Sequence, residues 1–287
     1  MEKRESADPE HVTYTAAKRY SRRKPRTVRS HGLSSVSGRI CAHGVPLSGS
    51  AGQEEWRFMD SNGELFTNRA AVFEQIGRIR EVPRGTLLSG SDAYWLKKGV
   101  CALTCVNAGG KEYSFLYFEE GMLFGFVPVL ERYYAINGMG RVNSSKFFSG
   151  FLTKTDCVIV DIPAQIFLKQ VRSNPQIRSA VMRAATLNLV NMLTHSMVLS
   201  ALPVAARVCY LLLEFAPEKP PYVLPQFLSY DEIATHLDMH VITVTKIFRA
   251  LFANGILEKK GRQRVVVDPD RLLAIVNLEQ ELEYAGK

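Results

Sequence analysis

Residues 228–257 contain basic, imidazole and hydroxyl side chains. The spacing of the apolar residues among them predicts two short helices. Ser229 and Glu232 form a capping-box pattern that starts the first helix, and Asn254-Gly255 is expected to end the second. The predicted inward residues of the second helix are Val244, Ile247, Phe248 and Leu251. This pattern is typical of a helix-turn-helix, whose second helix enters the major groove of DNA.

The polar and basic side chains outside that predicted core are the candidates for DNA contact. Residues 256–267 indicate a two-stranded wing with a basic tip. Ser229 and Tyr230 are expected to hold the DNA backbone, Val241 to touch thymine methyl groups, and Lys246 to bind phosphate or guanine. The full predicted set is Ser229, Tyr230, His240, Val241, Thr243, Thr245, Lys246, Arg249, Lys260 and Arg262. The alternative is a winged helix that binds another protein.

The elements that must position this motif predict an α+β protein. From Phe66 to about Pro163, short apolar segments punctuated by glycine favour a small antiparallel β domain, with Ala93–Val106 and Met122–Val127 among its predicted strands. A helix then runs from Pro175 to about Ala201 without an internal glycine or proline. Because this helix is apolar on more than one side, we expect it to pack both on the β domain and on the same helix of a second subunit.

The whole arrangement resembles the cAMP-receptor/fumarate-nitrate regulator (Crp/Fnr) family of bacterial transcription factors over roughly residues 64–280. Its most specific matches are Ile233-Ala234, Thr243-Val244 and Asn254-Gly255-Ile256. The resemblance implies a cyclic-nucleotide-binding-like β-roll, a long dimerisation helix and a C-terminal winged helix-turn-helix. It also implies a homodimer that binds a double-stranded DNA operator, controls transcription with RNA polymerase and is not an enzyme. The predicted divisions are a disordered basic tail at 1–58, a sensor domain at 59–202 with the dimerisation helix at 175–201, and the winged helix at 203–287.

The sensor half departs from the family pattern where an effector would bind. Members that bind cyclic nucleotides place Gly-Glu at the position of Gly125-Phe126 and Arg-Ser at that of Phe147-Phe148. Phenyl rings offer no donor to an anionic phosphate, so cyclic AMP is not the expected effector. The predicted effector pocket comprises Phe126, Tyr133, Tyr134, Phe147, Phe148, Asn188, Met192 and His195. Two interpretations stay open: an apolar or aromatic small effector, or a filled, ligand-free core in a constitutive DNA-binding protein.

Composition excludes several other classes of protein. A hydrophobic content of 46% over 287 residues supports a folded core, and no apolar run is long enough to span a membrane. Five irregularly spaced cysteines predict reduced thiols in the cytoplasm. Cysteine and histidine spacing favours neither an iron–sulfur cluster, nor haem, nor another metal, and no nucleophile–base motif points to an enzyme.

The basic charge is concentrated in the N-terminal tail. Residues 1–50 carry +6 of the net charge of +8, so the overall charge is not evidence for DNA binding by the folded domains. Three interpretations of residues 1–58 stay open: a phosphate-gripping arm around 22–26, a solvated tail, or an overextended reading frame that truly starts at Met59.

Overall fold

The computed structural model describes residues 69–106, 110, 112–134 and 148–284, so the predicted tail at 1–58 lies outside the described residues. The helices are α1 (Arg69–Glu74), α2 (Phe126–Tyr133), α3 (Ala164–Ser173), α4 (Pro175–Ala201), α5 (Val204–Glu214), α6 (Tyr230–His236), α7 (Val241–Ala253) and α8 (Pro269–Val276). The strands are β1 (Arg78–Val82), β2 (Leu87–Leu88), β3 (Ala93–Lys98), β4 (Cys101–Val106), β5 (Glu112–Phe118), β6 (Leu123–Phe124), β7 (Phe148–Thr153), β8 (Cys157–Ile162), β9 (Tyr222–Val223), β10 (Leu257–Lys260) and β11 (Gln263–Val266).

Strands β1 to β8 form a roll of two antiparallel sheets. One sheet has the order β1-β8-β3-β6 and the other β2-β7-β4-β5. Apolar side chains from both sheets meet in a core that includes Leu96, Phe118, Phe124, Phe151 and Ile159. The sequence predicted an antiparallel β domain in this region, and the α+β fold class is confirmed.

Two predicted strands are corrected by the structure at glycines. Ala93–Val106 is two strands, because Gly99 has φ +99° and a Cβ there would lie 2.6 Å from the Asp156 carbonyl oxygen. Within 122–127 only Leu123–Phe124 is a strand, and α2 begins at Phe126. Gly125 makes that change of direction with φ +75°, at a place where a Cβ would lie 2.5 Å from the Asp92 carbonyl oxygen.

Helix α4 has one face on the β-roll and another that is exposed in the single chain. Asn174 caps it as predicted, since its Oδ1 accepts the N–H of Gln176 at 2.9 Å. The residues of α4 that the sensor domain and the neighbouring helices bury are Ile177, Val181, Ala184 and Val198. The exposed apolar residues are Met182, Leu189, Val190, Met192, Leu193 and Met197, with exposed fractions of 43–68%. None of the described helices is both long and apolar enough to cross a membrane.

The C-terminal part is a three-stranded sheet, β10-β11-β9, packed with α5 to α8 around an apolar core that also includes Ala102 and Tyr117 of the β-roll. Ser229 caps α6, and Asp238 makes the predicted turn between α6 and α7 with φ +47°. Gly255 follows the end of α7 with φ +67°. Strands β10 and β11 pair as the predicted hairpin. The helix-turn-helix and its wing therefore form where the sequence predicted them.

Candidate nucleic-acid interface

Helix α7 has one fully buried face and an opposite exposed one. Its predicted inward residues are confirmed, because Val244, Ile247, Phe248 and Leu251 are all 0% exposed. At about 100° of rotation per residue, positions 242, 246 and 249 lie on the side opposite that stripe. Lys246 and Arg249 are exposed there, as predicted. Two cations spaced one turn apart on an open helix surface can bind DNA phosphates or guanine edges.

The other predicted residues of α7 differ in how far they are available. His240 is the exposed N-cap residue and its side chain makes no capping hydrogen bond. Thr243 and Thr245 are half-buried, and the Thr245 hydroxyl donates to the Val241 carbonyl oxygen at 2.9 Å. Val241 is 38% exposed because it lies beside the buried stripe rather than opposite it.

Ile242 is not among the predicted DNA contacts, yet it is 68% exposed and more accessible than Val241. The signal that could have found it is the helical spacing alone, since Ile242 precedes Lys246 by four residues and Arg249 by seven.

The wing supplies a second cationic surface. Lys260 and Arg262 are exposed on either side of Gly261, at the tip of the β10–β11 hairpin. The Lys260 Nζ lies 3.6 Å from Glu258 Oε2, a loose and exposed pair. An open cleft of about 370 Å³ lies beside the wing, lined by Tyr230, Lys259, Gly261, Arg262, Gln263 and Arg264. Its cationic and amide groups are suited to a phosphate group.

Ser229 and Tyr230 have structural partners inside the winged helix. The Ser229 Oγ accepts the N–H of Glu232 at 3.1 Å and so acts as the helix cap. The Tyr230 ring lies 4.6 Å from that of Phe248, and the guanidinium of Arg264 lies over both rings. Tyr230 thus helps to hold the wing against α7 and lines the cleft with the same ring.

The capping box predicted at Ser229 and Glu232 is only half formed. Glu232 does not bond back to Ser229; its Oε1 accepts from the Tyr117 hydroxyl at 2.7 Å and its Oε2 from Lys154 Nζ at 2.9 Å. Tyr117 and Lys154 belong to the β-roll and are both buried. A hydrogen bond to an ammonium group is stronger than one to an amide, which explains why the carboxylate turns toward the sensor.

A histidine pair, the buried His236 and the half-buried His195, makes the second polar contact between the same two parts. His236 Nδ1 lies 2.8 Å from the Ser114 carbonyl oxygen, and because that oxygen can only accept, Nδ1 carries the hydrogen. The His236 ring lies 4.4 Å from that of His195 on α4, which in turn packs edge-on against Phe115. Burial, with a smaller contribution from His195, lowers the pKa of His236 to about 4. Burial also lowers the pKa of His195, so both rings are neutral near pH 7.

The predicted effector residues lie at several separate places in the β-roll and the helices around it. Phe126 is 1% exposed in a core with Trp95 and Phe167, whereas His195 lies at the contact with α6. The centroid of the Tyr133 ring lies 4.7 Å from the guanidinium carbon of Arg172. The remaining members are the exposed Tyr134, the half-buried Asn188, the exposed Met192, Phe148 at the start of β7, and Phe147, which lies outside the described residues. The pocket therefore stays a prediction.

No metal centre is evident in the part of the chain that the structure describes, where no three His, Cys, Asp or Glu side chains are grouped to hold an ion.

Comparisons with known proteins agree with this geometry. Residues 206–275 match the Crp-like helix-turn-helix domain family. FixK2 from Bradyrhizobium japonicum has the same fold with a TM-score of 0.56 and 16% identity, over 70% of this chain and 97% of that one. A putative Crp/Fnr regulator from Eubacterium rectale has a TM-score of 0.56 and 15% identity, over 74% and 94%. The c-di-GMP-responsive regulator CLP from Xanthomonas campestris has a TM-score of 0.54 and 16% identity, over 69% and 97%.

No curated protein sequence matches the chain. The helix-turn-helix match covers α6, α7 and the wing, which are the elements that carry the exposed cations. The described β-roll and the long helix α4 complete the architecture shared with the solved regulators. Residues 206–275 are therefore identified as a Crp-like helix-turn-helix domain, and the described fold is the one shared with solved regulators of the Crp/Fnr type.

Proposed function

We propose that the protein acts as a homodimer that places two α7 helices in the major groove of a two-part operator, under the control of a small effector other than cyclic AMP. The observation that carries the proposal is the exposed face of α7, where Lys246 and Arg249 lie opposite a fully buried stripe. The cations of the wing extend this surface toward the DNA backbone. RNA polymerase is the partner through which bound protein would alter transcription.

The exposed apolar residues of α4 support the dimer. Met182 and Leu189 are seven residues apart, and Met192 follows at an interval of three, which is coiled-coil spacing. Leaving side chains this large in water is unfavourable, and a second copy of the same helix would cover them. A two-fold dimer would also present two equivalent α7 helices to DNA.

The packing of Phe126 supports an effector other than a cyclic nucleotide. Its ring lies in an apolar core where cyclic-nucleotide-binding relatives need a carboxylate, so no ribose contact is available at that position. The route to the DNA-binding domain runs through Glu232 and His236, which contact the β-roll and α4 directly. The same filled core favours the second candidate function, a constitutive DNA-binding protein with no ligand.

Selection of bound duplexes from a random pool, at stated salt, tests DNA binding and the dimer together. The expected product has two related half-sites about one helical turn apart, bound by two chains. Leu189→Lys should dissociate the dimer in sedimentation velocity and reduce operator affinity. Ile166→Lys, on the exposed side of α3, is the matched control and should change neither. Failure to enrich any duplex, or enrichment of a single half-site bound by one chain, would contradict the proposal.

Thermal melting with small ligands distinguishes the two candidate functions. Cyclic AMP is expected to leave the melting temperature unchanged, whereas an apolar or aromatic effector should raise it and change operator affinity. If a broad panel of such compounds changes neither quantity, the constitutive alternative is favoured.

A further inference from the structure

The face of α7 that is directed away from the protein core begins with an apolar side chain. Ile242 is 68% exposed, although isoleucine is usually buried, and it shares its face with Lys246 and Arg249. Val241 lies toward the flank and is 38% exposed. Ile242 is therefore the first outward side chain of the helix end that enters the groove in helix-turn-helix proteins.

The chemistry of Ile242 limits what it can contact in DNA. Its side chain has neither a donor nor an acceptor, so it cannot bind a phosphate oxygen or the hydrogen-bonding edge of a base. The one apolar group that a base pair presents in the major groove is the C5-methyl group of thymine. Burial of that methyl against an aliphatic side chain is favourable because it removes apolar surface from water.

We infer that Ile242 is a specificity-determining residue that selects a thymine in each operator half-site by packing against its C5-methyl group. The inference rests on the proposed function and names the base that the α7 surface reads. Charge supports DNA as the occupant of this face, because Lys246 and Arg249 follow Ile242 on it and the first turn of α7 contains no acidic residue. A surface of this charge fits the phosphate-lined groove better than an apolar protein partner.

The test uses the operator selected from the random pool and replaces its thymines one at a time by deoxyuridine. This replacement removes only the C5-methyl group and leaves base pairing intact. For the wild-type protein, one position in each half-site is expected to lose about fourfold in affinity, the effect of one buried methyl group. With Ile242→Ala, the same replacement should have no effect, and selection with this variant should no longer enrich thymine there.

Three variants sharpen the result. Ile166→Ala removes an equally aliphatic, exposed side chain from α3 and should keep the full response to deoxyuridine. Ile242→Val keeps a branched side chain and should keep part of the response. Val241→Ala tests the neighbouring valine, which the sequence predicted to touch thymine methyl groups. If the response persists in Ile242→Ala, or disappears only in Val241→Ala, the inference is overturned.

Two further outcomes separate this inference from the proposed function. An operator that is bound specifically, but in which no thymine responds to deoxyuridine, overturns the role of Ile242 and leaves DNA binding intact. Failure of the wild-type protein to enrich any duplex overturns the proposed function itself. Because Ile242 is largely exposed, its substitution should leave the melting temperature of the free protein unchanged, and this checks that the variant is folded.

Discussion

Two neighbouring helices of the DNA-binding domain use their polar side chains in opposite ways. On α7, Lys246 and Arg249 are directed to solvent. On α6, Glu232 and His236 are directed to the β-roll, where each has a specific partner. The comparison shows how the domain separates its tasks: α7 remains open for DNA, and α6 connects it to the β-roll and α4. A change in the sensor that moved these partners would reorient α7 without altering its surface.

The largest effect is expected when the contact between α6 and the β-roll loses its buried cation, Lys154. Lys154→Ala leaves the Glu232 carboxylate, which is 14% exposed, without its counter-charge. The free energy of unfolding should fall by about 3 kcal/mol, because an unpaired buried charge is strongly unfavourable. Chemical denaturation measures the change, and Lys169→Ala, an exposed lysine on α3, is the matched control. A loss no larger than that of the control would show that the pair does not hold the two parts together.

The histidine contact predicts a dependence of stability on pH. The pKa of His236 falls from 6.5 to about 4 in the folded protein, so above pH 6.5 the ring is neutral in both states and this contribution to stability is complete. As the pH falls below 6.5, the unfolded chain binds the proton first, and stability is lost until about pH 4. The total loss is about 3 kcal/mol.

Denaturation of the wild type and of His236→Phe across pH 4–7 tests this dependence. The groups that face the ring are His195, Tyr117, Glu232 and Lys154, and all of them are kept in the variant. The variant should therefore lose most of the slope between pH 6.5 and 4. An unchanged slope would assign the pH dependence to other groups, such as His195.

Substitution of Lys246 on α7 should have a smaller effect, which is confined to DNA binding. Lys246→Ala should weaken operator binding by about 1–2 kcal/mol without changing the melting temperature. It should also reduce by about one the slope of log affinity against log salt concentration, because one phosphate contact is lost. Fluorescence anisotropy at several salt concentrations measures both quantities. Lys169→Ala is again the control, and equal affinities for the two variants would place another surface in the groove.

The smallest effect is expected for Ser229 at the start of α6. Its substitution distinguishes a structural role of this side chain from a contact with DNA. Ser229→Ala should lower the free energy of unfolding by about 1 kcal/mol, because the Glu232 N–H loses its cap. Operator affinity should change little, since the hydroxyl already has a partner within the helix. A large loss of affinity in a variant of near wild-type stability would instead support the predicted contact between Ser229 and the DNA backbone.

Local patterns predicted the winged helix well. The spacing of Val244, Ile247, Phe248 and Leu251, together with glycine after the helix, was sufficient to locate α7. The contacts of α6 could not be predicted in this way. Glu232 and Tyr117 are 115 residues apart in the chain, and no periodic signal joins them. The capping-box pattern is local, so it could not indicate that a buried lysine would compete for the same carboxylate.

The sensor was less predictable for a related reason. His195 was expected in an effector pocket because it interrupts an apolar helix, yet the structure places it against His236 and Phe115. At 122–127, a short apolar run fitted a strand, and the left-handed conformation of Gly125 is what starts a helix there instead. In both cases the partner lies in another element, and only the tertiary structure reveals it.

Site-specific cross-linking tests most directly the claim that the exposed face of α7 lies in the major groove. A photoactivatable benzophenone side chain would replace Arg249 in one protein and Lys169 in another, each bound to the selected operator. We predict cross-links from position 249 to bases within each half-site and none from position 169. Cross-links from both positions alike, or bases reached only from position 169, would contradict the account.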